Sequence, residues 1–85
     1  MSELDDRFAA AADASKTLPE RPDNDTLLKL YSLFKQGSTG DVQGKRPGFT
    51  DPVGRAKYDA WSKLKGTPQD AAKASYADLV ESLAG

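Results

Sequence analysis

Helix-breaking residues cut this chain into four stretches, and within each stretch apolar side chains recur every three to four positions. No stretch alternates apolar and polar with a period of two, so no half-buried strand is expected. The pattern predicts an all-α fold, a four-helix bundle with one long loop and no internal repeat.

The first helix is expected from about Ser2 to Ser15. Ser2 can cap it, Asp5 and Asp6 sit in its opening turns, and Leu4, Phe8, Ala11, Ala12 and Ser15 follow the helical period. Its buried face is narrow and lined by alanine, which lets a neighbouring helix, or a ligand, come close to the backbone. Pro19 and Pro22 make Lys16 to Pro22 an extended connection. Asp23, Asn24 and Asp25 then supply caps for a second helix, expected from about Asn24 to Gln36. Leu27, Leu30, Tyr31 and Phe34 form its stripe, Leu28 broadens it, and Gly37 is expected to end it.

Gly40, Gly44, Pro47 and Gly48 make Ser38 to Thr50 a long loop. Its string Gly44-Lys45-Arg46-Pro47-Gly48 lacks both the spacing of a phosphate-binding P-loop and the strand that precedes one. Thr50 or Asp51 caps a third helix that accepts Pro52 in its first turn. Ala56, Ala60, Trp61 and Leu64 mark its buried side up to Gly66, with Trp61, the one tryptophan, read as core. Thr67 as cap, Pro68 at the first helical position and Asp70 in the first turn then open a fourth helix. It is expected to reach about Leu83, with Ala72, Tyr76, Leu79, Val80 and Leu83 on one side.

At 85 residues the chain is expected to be one domain, residues 1–85, near the lower size at which a single apolar core suffices. It has no cysteine and no histidine, which removes disulfides, thiolate nucleophiles, histidine zinc sites and the usual acid–base residue. No enzymatic activity, metal or cofactor is therefore expected. Apolar runs stay short, so neither a membrane span nor a signal-peptide core is expected, and a cytoplasmic location follows from that.

The net charge of -1 hides a polarity along the chain. Residues 26–65 carry eight cations (Lys29, Lys35, Lys45, Arg46, Arg55, Lys57, Lys63, Lys65) against three anions (Asp41, Asp51, Asp59), whereas the remainder has four cations and ten anions. A basic middle between acidic flanks favours a compact anion over a long polyanion, so a nucleic-acid partner is not expected. Within that middle, Tyr31 and Lys35 stand four apart and share a helical face, and Lys57 adds a second cation. A ring with neighbouring ammonium groups suits a ligand that has both a flat base and phosphates.

The order of these motifs resembles that of the acyl-CoA-binding protein family. The resemblance runs from Leu4 to Leu83, through Phe8, Leu30-Tyr31-Ser32, Phe34-Lys35-Gln36, Gly40-Asp41, Arg46-Pro47-Gly48, Ala56-Lys57, Asp59-Ala60-Trp61, Leu64-Lys65-Gly66-Thr67 and Tyr76. It implies up-down-down-up topology and a long-chain fatty acyl-CoA ligand. It also implies that Tyr31, Lys35 and Lys57 hold the adenosine 3'-phosphate end of coenzyme A, with Phe34 lining the nucleotide pocket. Tyr76 is implied as a further ligand contact, Lys16 as a cation near the phosphates, and Ala12 and Leu28 as positions along the acyl groove.

Three positions depart from the family pattern. Val53 stands where many members carry a basic residue, so one phosphate or pantetheine contact is expected to be either absent or supplied by Arg55; Phe34 replaces a common tyrosine; and Tyr58 replaces a frequent tryptophan. The resulting expectation is a monomeric, non-enzymatic carrier of acyl-CoA between metabolic enzymes and membranes, without stable membrane insertion. The alternative is a helical module that binds a protein partner through its Tyr31/Phe34 surface.

Overall fold

The computed structural model describes residues 2–85, and the regular elements among them are all helical. They are α1 (Glu3–Ala14), α2 (Asn24–Ser38), α3 (Pro52–Ser62) and α4 (Gln69–Ala84), with a 3-10 turn at Ser15–Thr17. Three helices start on side-chain caps. Ser2 Oγ accepts from Asp5 N at 3.0 Å, Asp23 Oδ1 from Thr26 N at 2.8 Å and Asp51 Oδ1 from Gly54 N at 3.0 Å, so Asp51 rather than Thr50 opens α3.

Three local expectations are corrected. Lys16 lies in the 3-10 turn instead of an extended segment, because the chain tightens before Leu18 takes an extended conformation. Thr67 does not cap α4: Pro68 holds the cap position without a side-chain bond, and the Thr67 carbonyl accepts from Gln36 Nε2 at 2.8 Å. Gly37 does not end α2, which continues to Ser38. A Cβ at Gly37 would stand 3.0 Å from Lys73 Cγ and 3.2 Å from Phe8 Cζ, so this glycine permits close packing of α2 against α4 and α1. The left-handed residue beyond the helix is Gly40, with φ of 95°.

Contacts between helices give their directions. Asp5 and Phe8 of α1 meet Lys73 and Tyr76 of α4, so these two helices run parallel. Phe34 of α2 meets Tyr76 while Gly37 meets Lys73, so α2 is antiparallel to α4. Tyr31 and Lys35 of α2 meet Lys57 and Trp61 of α3, so α2 and α3 run parallel. The topology is up-down-down-up. Packing of α1 on α4, α4 on α2 and α2 on α3 sets the lateral order α1–α4–α2–α3 in a flattened body of 37 × 29 × 15 Å.

The apolar core is Ala11, Leu30, Leu33, Tyr76, Ala77 and Val80, where α1, α2 and α4 meet. Trp61 is also buried but belongs to a polar knot around Gln36, which has no solvent exposure. Gln36 Nε2 donates to Asp41 Oδ1 at 2.9 Å as well as to Thr67 O. Its Oε1 accepts at 3.1 Å from Trp61 Nε1, which also donates to Gly40 O at 2.8 Å. The Gly66 backbone N–H, followed by the Gln36 amide, holds the Asp41 carboxyl below its usual range. This knot fastens the end of α2 to α3 and to the turn before α4. The loop is tied down separately: Arg46 grips Asp59 through two bonds of 2.8 and 2.7 Å, and Tyr58 donates to Gly44 O at 2.9 Å.

Candidate ligand-binding site

Because α2 and α3 run parallel, residues four apart on one helix meet residues four apart on the other. Tyr31 and Lys35 on α2 therefore face Lys57 and Trp61 on α3, with rings and ammonium groups in crossed order. Lys57 Nζ lies 5.2 Å from the Tyr31 ring centroid, and Lys35 Nζ lies 5.1 Å from that of Trp61. Each cation is thus held over a ring and forms no ion pair with a carboxylate among the described residues. Two adjacent positive charges remain available to an anion.

Two clefts adjoin this pairing. The first, about 500 Å³, opens between the N-terminal halves of α2 and α3 and is walled by Leu27, Leu28, Tyr31, Pro52, Val53 and Ala56, with Arg21, Asn24 and Lys57 as its polar members. The second, about 410 Å³, lies where the end of α1 meets α2 and α4, among Ala12, Ser15, Lys16, Leu18, Pro22, Leu27, Leu30, Tyr31, Phe34 and Tyr76. Leu27 and Tyr31 line both and form the shared wall. Each cleft joins an apolar floor to a cation at its edge, a combination that suits a ligand with a greasy part and an anionic part.

Phe34 and Tyr76 line the second cleft and pack against Phe8. Ring centroids lie 5.5 Å apart for Phe8–Phe34, 5.3 Å for Phe8–Tyr76 and 5.7 Å for Phe34–Tyr76, one ring from each of α1, α2 and α4. The Tyr76 ring is buried, yet no side-chain oxygen or nitrogen sealed from solvent among the described residues lacks a partner. Its hydroxyl, which makes no hydrogen bond among the described residues, therefore keeps some solvent access where Tyr76 lines the cleft. Lys16 stands at the edge with its Nζ 4.0 Å from Asp13 Oδ1, an exposed and weak pairing.

The residues singled out in the sequence are thus distributed over a connected region. Lys16, Phe34, Tyr76 and Ala12 line the second cleft, Lys57 and Leu28 the first, and Tyr31 both. Lys35 lines neither. The four-residue step carries it about 6 Å further along α2, where it covers Trp61. Ala12 and Leu28 lie in separate clefts, divided by Leu27 and Tyr31.

Val53 forms part of the first rim, but Arg55 does not; the second cation beside this cleft is Arg21. Sequence reasoning missed Arg21 because the adjoining prolines marked its segment only as a connection, and no local pattern shows that the segment folds back over α2. Among the described residues no cluster of carboxylates could hold a metal ion, and no helix is long and apolar enough to cross a membrane.

Comparison with known proteins shows the family of the chain. Residues 5–80 match the family model described as acyl-CoA-binding protein. An acyl-CoA-binding protein homolog of Drosophila melanogaster is 45% identical over 80 residues, covering 94% of this chain and 93% of that protein. The acyl-CoA-binding protein homolog 1 of Caenorhabditis elegans is 50% identical over 76 residues, covering 89% and 88%. The crystal structure of Oryza sativa acyl-CoA-binding protein 2 superposes with a TM-score of 0.90 at 38% identity, covering 94% of this chain and 87% of that one. With residues 5–80 matched by the family model and nearly its whole length in common with these proteins, the chain belongs to the acyl-CoA-binding protein family.

Proposed function

We propose that this protein binds long-chain fatty acyl-CoA and carries it, with residues 1–85 acting as one binding domain. The observation that carries the reading is Tyr31: one ring divides two apolar clefts while the Lys57 ammonium sits over it, with Lys35 a turn away. Tyr31, Lys35 and Lys57 are proposed to hold the phosphorylated nucleotide, through charge-assisted bonds to phosphate and packing of adenine on aromatic faces. Lys16 and the Tyr76 hydroxyl serve as further polar contacts, and Phe34 widens the aromatic wall. Ala12 and Leu28 contact the acyl chain on either side of the wall that Tyr31 and Leu27 make. Each methylene withdrawn from water contributes about 0.8 kcal/mol, so affinity rises with chain length until the apolar surface ends.

Titration calorimetry tests this. Palmitoyl-CoA is expected to bind tightly, free CoA much more weakly, and palmitate scarcely at all. Equal affinity for palmitoyl-CoA and CoA would refute a role for the apolar clefts. The protein is further proposed to leave its cargo intact, because it lacks cysteine and histidine; acyl-CoA recovered unchanged after prolonged incubation is the expected result. A monomer with one ligand, cytoplasmic and indifferent to nucleic acid, completes the reading. Sedimentation with and without ligand tests the stoichiometry.

A further inference from the structure

Phe49 and Val53 are the two most exposed large apolar side chains among the described residues, at 84% and 63%. A lone apolar residue on a surface is ordinary, but Val53 is also a wall of the first cleft, together with its neighbour Pro52 and with Ala56 one turn on. Just ahead of them Gly48 O accepts from Asp51 N at 3.0 Å, closing a turn that carries Phe49 at its second position. The lip that α3 and its leading turn give this cleft therefore bears an apolar side chain at each end of the segment from Phe49 to Val53. The one charge in that segment, Asp51, is turned onto Gly54 N at the start of its own helix. Arg21 and Asn24, the polar residues at the mouth, stand on the α2 side.

The lip also has a definite direction from the cations. Lys57 lies four residues, about 6 Å, further along α3 than Val53, and Lys35 lies the same step beyond Tyr31 on the parallel α2. A ligand whose phosphates rest at Lys35 and Lys57, and whose chain follows the cleft toward the helix N-termini, passes Leu28 and Ala56 and reaches the Val53 lip last. On the α3 side a phosphate would meet only the Asp51 carboxylate there. An alkyl end would meet two exposed apolar side chains, and covering them removes apolar surface from water on both partners.

We infer that Phe49 and Val53 set the acyl chain-length preference of this protein, by sheltering the terminal methylenes of a chain that outruns the first cleft. The inference rests on the proposed acyl-CoA binding and gives its apolar surface an end point. Each sheltered methylene multiplies affinity roughly fourfold, so lost cover over two of them weakens binding on the order of tenfold, and only for ligands long enough to reach the lip. Neither residue takes part in the pairing of rings and ammonium groups, so the head-group contacts are untouched.

Calorimetric titration of the full chain with octanoyl-, dodecanoyl- and palmitoyl-CoA tests the inference. Wild-type affinity is expected to rise across the three. Phe49→Ser and Val53→Ser are each expected to weaken palmitoyl-CoA binding on the order of tenfold and octanoyl-CoA binding less than about twofold. Melting temperature should not change, because both side chains are exposed. Phe49→Leu and Val53→Leu, which keep an apolar side chain, should restore the wild-type ratio of palmitoyl- to octanoyl-CoA affinity. Losses of equal size for the long and short ligands, or no loss for either, overturn the role of this lip, while the wild-type rise with length leaves the acyl-CoA reading standing. No heat from the wild type with any of the three ligands refutes that reading itself, and the inference with it.

Discussion

Replacing Gln36 with leucine isolates the polar knot, because leucine keeps most of the buried volume and removes all three side-chain hydrogen bonds. The bond to Asp41 is charge-assisted but partly solvated, and its loss costs about 1.5 kcal/mol. Thr67 O loses its side-chain donor in a part-buried setting, for about 1–3 kcal/mol. Trp61 Nε1 keeps its 2.8 Å bond to Gly40 O and Asp41 keeps the Gly66 N–H, so neither is orphaned. Burial of the apolar leucine returns about 1 kcal/mol. The net destabilisation is about 1.5–3.5 kcal/mol, or roughly 6–28 °C in melting temperature for a domain of this size. Urea unfolding followed both by Trp61 fluorescence and by helical circular dichroism measures it, with the midpoint falling at an unchanged slope. A loss below about 1 kcal/mol would mean that the knot is incidental to stability, and the reasoning would be refuted.

Three further outcomes are expected. Gly37→Ala should destabilise by about 1 kcal/mol, since crowding against Lys73 and Phe8 outweighs the better helix propensity of alanine; a raised melting temperature would contradict this. Lys57→Ala should weaken palmitoyl-CoA binding by roughly 10- to 100-fold with little change in melting temperature, whereas Trp61→Ala should destabilise by about 3–5 kcal/mol, and equal melting losses would dismiss that division. Lys73 holds the Asp5 carboxyl below its ordinary 3.8, as Arg46 does that of Asp59, and Arg7 holds Glu81 below 4.5. These depressed groups stabilise the fold above their unfolded values, and that contribution disappears as pH falls through the native ones, so thermal stability should decline below about pH 4. Asp5 in turn raises Lys73 above 10.5, so its contribution persists below that value and is lost as pH climbs through the native one. With no histidine in the chain, a melting transition centred near pH 6 would contradict this assignment.

Much of the site was legible before any coordinates, for a specific reason. Tyr31 with Lys35, and Lys57 with Trp61, are each four apart on a helix, so their shared faces follow from helical geometry alone. The pairing of the two faces was not legible, because nothing local says that α2 and α3 run parallel and in register. Gly37 is the converse case. Local rules read it as a helix terminator, whereas it lies inside the helix, at a point where Lys73, far along the chain, leaves little room for a side chain. Gln36 likewise reads as an ordinary polar residue on a helix, and only the convergence of Trp61, Asp41 and Thr67 makes it the most buried polar side chain.

Periodicity and breakers by themselves determined that this protein is helical, where its helices fall to within a few residues and which faces they bury, because those features depend on residues within one or two turns. Motif order added the family and, through it, the topology and the class of ligand. Tertiary structure alone decided that Tyr31 divides two clefts, that Arg21 rather than Arg55 joins the first, and that Lys35 covers Trp61. Those outcomes depend on helix order and direction in space, which are set by long-range packing that no short window of sequence contains.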